Sequence, residues 1–393
     1  MTRTLSIRNG GNMPTFQLHS RPGLLLAAAL GLAGCQAETA TLTPLQWTKV
    51  VGPAPGGALL GPGVTNAFDE RANFTTFAFR DGAKVKLFYG GSDATGAATG
   101  ISCGRWRIGM ADSDDGTTFT RRPGSGPGGA LIDNGAPGQF DSQLTYRPVV
   151  LPDLLGDGQP GYRLWFNGST DAFNCPPAPL ALNRRIGYAE SHDGLSWTKD
   201  YGGAGPGGSV LPLGGAGAID EQQVGYVAVI KDGAEYKMFY SANDATNTWR
   251  VALATSTDAR HWTKVPGKLA GGAILDTGPA GSFDFACAYQ PTVVKERDQL
   301  YRMWYRGCVG RGAANGPSRG TIGYAESNDG ITWIKLPQPT DDGSALGVGT
   351  APAFDSGGLT TPSVFRDGNG WNMYYAGFDT TGQYSTGLAR AAP

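Results

Sequence analysis

Histidine is scarce in this chain: three residues in 393, at positions 19, 192 and 261. Without clustered imidazoles there is no basis for a zinc centre or a histidine-activated nucleophile, so neither a metal nor a cofactor is expected. Charge of one sign is missing too. The 32 Lys and Arg balance 33 Asp and Glu with no basic cluster, which argues against a nucleic-acid partner. Long apolar runs are also absent, and the run at residues 23–33 is too short to span a bilayer, which takes about 20 residues.

That short run instead has the layout of a secretory signal, with Arg3, Arg8 and Arg21 ahead of it; Met13 offers an alternative start. It ends in Leu32-Ala33-Gly34-Cys35, which resembles the bacterial lipobox. The resemblance implies that Cys35 becomes the acylated first residue of the mature protein. On that reading residues 1–35 are the signal, 36–44 a short linker and 45–393 one domain. The domain would be tethered to the bacterial envelope, at the outer membrane or cell surface, and touch the membrane only through its lipid. An ordinary cleaved signal with a chance cysteine is the alternative.

What is abundant is repetition. IGYAESNDGITWIK from Ile322 is matched by IGYAESHDGLSWTK from Ile186, IGMADSDDGTTFTR from Ile108 and VALATSTDARHWTK from Val251, with a fifth, truncated copy from Thr386. A second motif precedes each copy: KLFYGG from Lys86, RLWFNG from Arg163, KMFYSA from Lys237, RMWYRG from Arg302 and NMYYAG from Asn372. Alternating apolar residues cut by turn residues read as four short antiparallel strands per unit, here lettered A to D. A unit of this size with four strands is a propeller blade, so the fold class is all-β, a five-bladed β-propeller, expected as a monomer.

The fifth copy lacks its strand D, and the missing piece lies at the other end. Trp47-Thr48-Lys49 matches Trp197-Thr198-Lys199, Trp262-Thr263-Lys264 and Trp333-Ile334-Lys335. The N-terminal strand is therefore expected to complete the last blade and seal the ring, removing open sheet edges. Apart from Cys35 the chain has four cysteines, an even number for an oxidising compartment. A hairpin pairing Val294 with Tyr301 sets Cys287 opposite Cys308, so that disulfide is predicted. Cys103 and Cys175, in B–C loops of adjacent blades, pair by elimination, with free thiols as the alternative.

The A–B and C–D turns are mostly short, whereas the B–C and D–A connections are longer and emerge on one side. That end, where strand A begins, is the expected working face. An acid marks it in every blade: Asp69, Asp141, Asp220, Asp284 and Asp355. A funnel of carboxylates could supply an acid and a base for glycoside cleavage. A residue repeated five times could equally hold blades together, and chemistry needed at one place does not call for fivefold copies. With strict alternation along strand A, the acid's side continues through Arg71, Asn73 and Thr75, through Gln143, Thr145 and Arg147, and through Gln222, Val224 and Tyr226. In the last two blades it continues through Ala288 and Gln290, and through Leu359 and Thr361. Glu70 and Glu221 are additional acids without counterparts in the other blades.

The blade count, the aromatic-Gly ending of strand B and the Ser-x-Asp-Gly-x-x-Trp hairpin resemble the furanosidase-type propellers of glycoside hydrolase families 43 and 32. The resemblance spans nearly all of residues 45–393 and implies a carbohydrate partner. In family 43 the catalytic carboxylates lie on the first three A strands; the matching positions here are Thr75, Arg147 and Tyr226, none of them a carboxylate. Two readings follow. The first is a tethered glycosidase with Asp69, Asp141 and Glu221 as base or nucleophile, pKa tuner and acid. The second is a non-catalytic propeller that binds glycan through the same funnel. Candidate ligand contacts are Arg71, Gln143, Arg147, Tyr226, Tyr289, Gln290 and Arg306. The hairpin also resembles the sialidase Asp box, which would put Arg71, Arg147 and Arg306 beside a tyrosine nucleophile at Tyr146, Tyr226 or Tyr289.

Overall fold

The computed structural model describes residues 44–93, 104–171, 183–310 and 319–392. They form five four-stranded antiparallel blades. After β1 (Trp47–Val50), blade one holds β2 (Ala72–Asp81), β3 (Lys84–Ser92), β4 (Trp106–Ser113) and β5 (Thr120–Arg122). Blade two holds β6 (Leu144–Leu154), β7 (Pro160–Ser169), β8 (Arg185–Ser191) and β9 (Thr198–Asp200). Blade three runs through β10 (Gln223–Asp232), β11 (Glu235–Asn243), β12 (Trp249–Ser256) and β13 (Thr263–Val265). Blade four comprises β14 (Cys287–Arg297), β15 (Leu300–Cys308), β16 (Gly320–Ser327) and β17 (Ile334–Lys335). Blade five is β18 (Gly358–Asp367), β19 (Gly370–Phe378), β20 (Tyr384–Ala391) and, from the far end of the chain, β1. The closure expected from the sequence is present: Trp47 pairs with Ala391 and Val50 with Leu388. The A strands β2, β6, β10, β14 and β18 meet in sequence around the axis, and β18 returns to β2.

Each C–D hairpin is built by two side chains. The Ser191 hydroxyl accepts the Gly194 amide at 2.8 Å, while the Asp193 carboxylate accepts those of Leu195 and Ser196 at 2.8 and 2.7 Å. These backbone donors pull the Asp193 carboxyl down to about 2. Gly194 takes φ 74°, a left-handed conformation that suits glycine. The same turn recurs at Ser113, Ser256 and Ser327. Past the turn, the aromatic residue of strand D packs edge-on against strand B of the preceding blade. Trp197 meets Phe88, Trp262 meets Trp165, Trp333 meets Phe239 and Trp47 meets Trp304, with ring centroids 5.9 to 6.1 Å apart. Phe119 closes the circle on Tyr374 at 5.9 Å. The aromatic residues repeated in the sequence are thus the cement between blades.

Two local expectations are corrected. Strand A does not alternate strictly, because every copy carries a bulge, between Phe74/Phe77, Tyr146/Val149, Gly225/Ala228, Tyr289/Thr292 and Thr360/Ser363. At each bulge one non-glycine residue sits in the left-handed region: Thr75, Arg147, Tyr226, Gln290 and Thr361, with φ between 46° and 63°. Faces therefore exchange midway along each A strand. Three of the bulges are followed by Pro148, Pro291 and Pro362, residues that can donate no ladder hydrogen bond. The second correction concerns hairpin register. Val294 pairs with Arg302 rather than Tyr301, and the bulge restores the register by Cys287↔Cys308. The predicted disulfide forms there, with Cα atoms 5.2 Å apart. Cys35, Cys103 and Cys175 lie outside the described residues.

Candidate functional site

The acids that lead into strand A are not free. Asp69, Asp141, Asp220, Asp284 and Asp355 are all buried, each paired with the strand D cation of its own blade. The partners are Arg121, Lys199, Lys264, Lys335 and Lys49, at 2.8, 2.5, 2.6, 2.6 and 2.6 Å. In four blades a strand B tyrosine adds a hydrogen bond: Tyr89, Tyr240, Tyr305 and Tyr375, at 2.9 to 3.1 Å. Blade two has Phe166 at that position, and Tyr201 donates to Asp141 instead, at 3.2 Å. Burial and the neighbouring carboxylate push the Tyr240 and Tyr201 phenols well above their ordinary value, so they remain donors. The unit is a clamp tying the outermost strand to the lead-in of the innermost. In blade five it joins Lys49 to Asp355 across the closure.

This places the nominated carboxylates. Asp69 and Asp141 are 0% exposed and bound by clamp residues. Their repeated role is to neutralise a clamp cation, which corrects the expectation of a carboxylate funnel. Glu221 is half-buried at the rim, where it caps a loop by accepting the Gly217 amide and the Gln222 side chain. Glu70 does the same for the Asn66 amide, at 2.7 Å. The acids after strand B serve neighbouring strands: Arg107 binds Asp93 and Asp133, and Arg250 binds Asp244 and Asp276. Among the described residues no group of three or more His, Cys, Asp or Glu is placed to hold a metal.

The residues that do converge on the axis are aromatic. Phe74, Tyr146, Tyr226, Tyr289 and Tyr384 come from the five blades in turn, with Trp106, Trp249 and Phe378 between them. Phe74 lies 4.5 Å from Tyr384, Tyr146 6.2 Å from Tyr226, and Tyr226 5.7 Å from Tyr289, which stacks on Trp249 at 5.2 Å. Two arginines are laid among the rings. Arg184 donates to the Tyr146 hydroxyl at 2.7 Å and to Gln223 at 2.5 Å, and lies over the rings of Tyr226 and Trp249. Arg306 donates to the Tyr289 hydroxyl at 2.6 Å. Burial raises the phenols of Tyr146, Tyr289 and Tyr384, so all three stay protonated near neutral pH. The cluster is built of flat apolar faces edged by hydrogen-bond donors, the composition that takes a sugar ring by stacking and by its hydroxyls.

Of the predicted ligand contacts, Tyr226, Tyr289 and Arg306 belong to this cluster. Gln290 instead latches blade four to blade five, accepting from Thr360 and from the Thr361 amide. Arg147 is buried, donating to the Thr76 carbonyl at 3.2 Å. Arg71 and Gln143 are half-buried residues just ahead of β2 and β6. Arg184, Trp106, Trp249 and Tyr384 were not anticipated. They occupy one column, the position before or at the start of strand C, filled in blade four by Gly320. A Cβ there would collide with Nε of Arg306, so the arginine takes the space. A variable column inside a repeated motif was the available signal.

This architecture is also that of solved enzymes. A structure of a BT0996–RGII complex superimposes with a TM-score of 0.63 at 16% identity, covering 89% of this chain and 93% of that one. The chain shares the fold of propeller glycosidases. A putative glycosidase from Bacteroides thetaiotaomicron matches with a TM-score of 0.60 at 18% identity, over 89% and 97% of the two chains. A glycoside hydrolase of the GH130 family, one that targets β-1,2-mannosidic linkages in Candida mannan, gives 0.59 at 17% identity, over 90% and 97%. In sequence, two uncharacterised Mycobacterium tuberculosis proteins are 33% identical over 182 residues, 44% of this chain and 53% of each relative. The match thus spans about half the length of these relatives. No family model matches.

Proposed function

We propose that the propeller recognises carbohydrate at the axial aromatic cluster, through its half-buried rings Tyr289 and Trp249 and through donors from Arg184 and Arg306. The carrying observation is that all five blades send aromatic side chains to one place while the acids of the five leads are spent in clamps. The RGII complex and the mannoside-directed enzyme among the structural neighbours support the same ligand class. The reading favoured is binding. Hydrolysis is the second reading, favoured by the glycosidases that share the fold, and it needs an acid outside the clamps. Glu221, half-buried at the rim, is the one nominated acid of the three that qualifies.

The proposed setting is the bacterial envelope, with the domain of residues 45–393 exported as a monomer and tethered by a lipid on Cys35. The lipobox-like sequence and the Cys287–Cys308 bridge support an oxidising location. Residues 1–43 lie outside the described residues.

The deciding experiment titrates the chain against neutral and uronate-containing oligosaccharides by calorimetry, with release of reducing ends followed in parallel. Binding without release, lost in Arg184→Ala and retained in Glu221→Gln, is expected. Release that disappears in Glu221→Gln would establish the hydrolytic reading instead.

A further inference from the structure

The guanidinium of Arg147 is a charge without a counter-charge. It sits at the bulge of β6, 1% exposed, one residue beyond the Tyr146 of the aromatic cluster. Nη1 donates to the Thr76 carbonyl at 3.2 Å, and Nε is buried with no hydrogen-bond partner among the described residues. No ion pair among the described residues includes it. The ionisable groups that act on it are the phenols of Tyr226 and Tyr146, and burial pushes that of Tyr146 up, so it carries no charge near neutral pH. Each clamp cation has its aspartate; this one has none.

Arg147 lines a pocket of about 100 Å³, partly open to solvent, to which all five A strands contribute, with Phe79, Val149, Val229, Thr292 and Val364 among its walls. The walls are otherwise almost wholly apolar. Burial draws the guanidinium down to about 10, which still leaves it charged at pH 7. A fixed charge buried among apolar side chains costs several kcal/mol unless it is paired, and arginine does not escape by losing its proton. Water can accept from Nε but does not offset the charge. A volume of this size takes one small ion and a water or two, at roughly 30 Å³ per water, and no sugar ring.

We propose that a small monovalent inorganic anion of the halide class binds in this axial cavity against Arg147 and acts as its counter-ion. The site stands on observations separate from the glycan cluster, and either can fail without the other. Its effect is on the ring: the anion joins the five inner strands where their bulges leave the cavity.

Two measurements test it. Crystals of the chain soaked in sodium bromide should show an anomalous peak within hydrogen-bond reach of the Arg147 guanidinium; no peak there overturns the proposal. Thermal unfolding of the full chain in sodium chloride or bromide should show a saturating rise in Tm over sodium gluconate at equal ionic strength, gluconate being too large for the cavity. Arg147→Met should abolish that rise. A halide increment of the same size in Arg147→Met overturns the assignment, and if that variant does not fold the bromide map of the unaltered chain decides alone.

Discussion

The ring of clamps and the axial cluster are built by the same strands on opposite plans. In the clamps each blade repeats one arrangement, Asp to Lys or Arg with a tyrosine behind it, and the sole departure, Phe166 in blade two, is compensated by Tyr201. In the cluster no two blades contribute the same set. Blade three supplies Tyr226 from the left-handed position behind Gly225, whereas blades two and four supply Tyr146 and Tyr289 from the residue before it. What is copied around the circle holds it together; what varies lines the axial cluster, where the proposed carbohydrate ligand has no fivefold symmetry to match.

Breaking the clamp that closes the ring should have the largest effect. Lys49→Met leaves the buried Asp355 carboxylate with Tyr375 alone, and urea unfolding is expected to show a loss of about 3 kcal/mol. The glycan affinity of the folded fraction should be unchanged. Opening the bridge by the double change Cys287→Ser and Cys308→Ser frees a loop closed across 21 residues and should cost about 2–3 kcal/mol by the same assay. An altered affinity in either variant would blur the division between frame and site.

Cluster variants should behave the other way. Arg184→Ala removes charged donors from Tyr146 and Gln223, and calorimetry should show glycan affinity falling roughly 10- to 100-fold with little change in Tm. Trp249→Ala, which removes a stacking face, should lower affinity by a smaller factor, about 2- to 10-fold. A variant of either kind that unfolds the ring while the remaining folded protein binds normally would reverse the assignment.

The smallest effect should come from the hairpin aspartates. Asp193 and Asp329 are held down to about 2, Asp193 by the amides of Ser196 and Leu195 and Asp329, against partial burial, by those of Thr332 and Ile331. A carboxyl whose folded value is depressed adds stability above its unfolded value near 4, and loses it as pH falls through about 2. Asp193→Asn and Asp329→Asn should therefore lower Tm at pH 7, with the gap to the unaltered chain closing between pH 4 and pH 2.

Much of this frame was legible in the sequence because it is periodic. Blade number, the zipped closure, the Cys287–Cys308 bridge and the reason for doubting a repeated acid all follow from aligning copies. The bulges were not legible, because Thr75, Arg147, Tyr226, Gln290 and Thr361 have no common side-chain chemistry that announces a positive φ. Since alternation was carried straight through them, Gln290 was sent to the funnel when it latches two blades. Arg184 and Trp249 were not legible because strand A alone does not line the axis: the first residues of strand C, one variable column, reach it as well.

The pairing of β1 with β20 has a consequence for how the molecule comes into being. Blades one to four can each assemble from contiguous chain, yet Trp47, near the start of the domain, must wait unpartnered until residues 384–391 have been made. Such a long-range seam makes the last step slow and all-or-nothing. In a chain exported as proposed, the same seam would leave the ring unlocked while its two ends lay on opposite sides of a translocation pore.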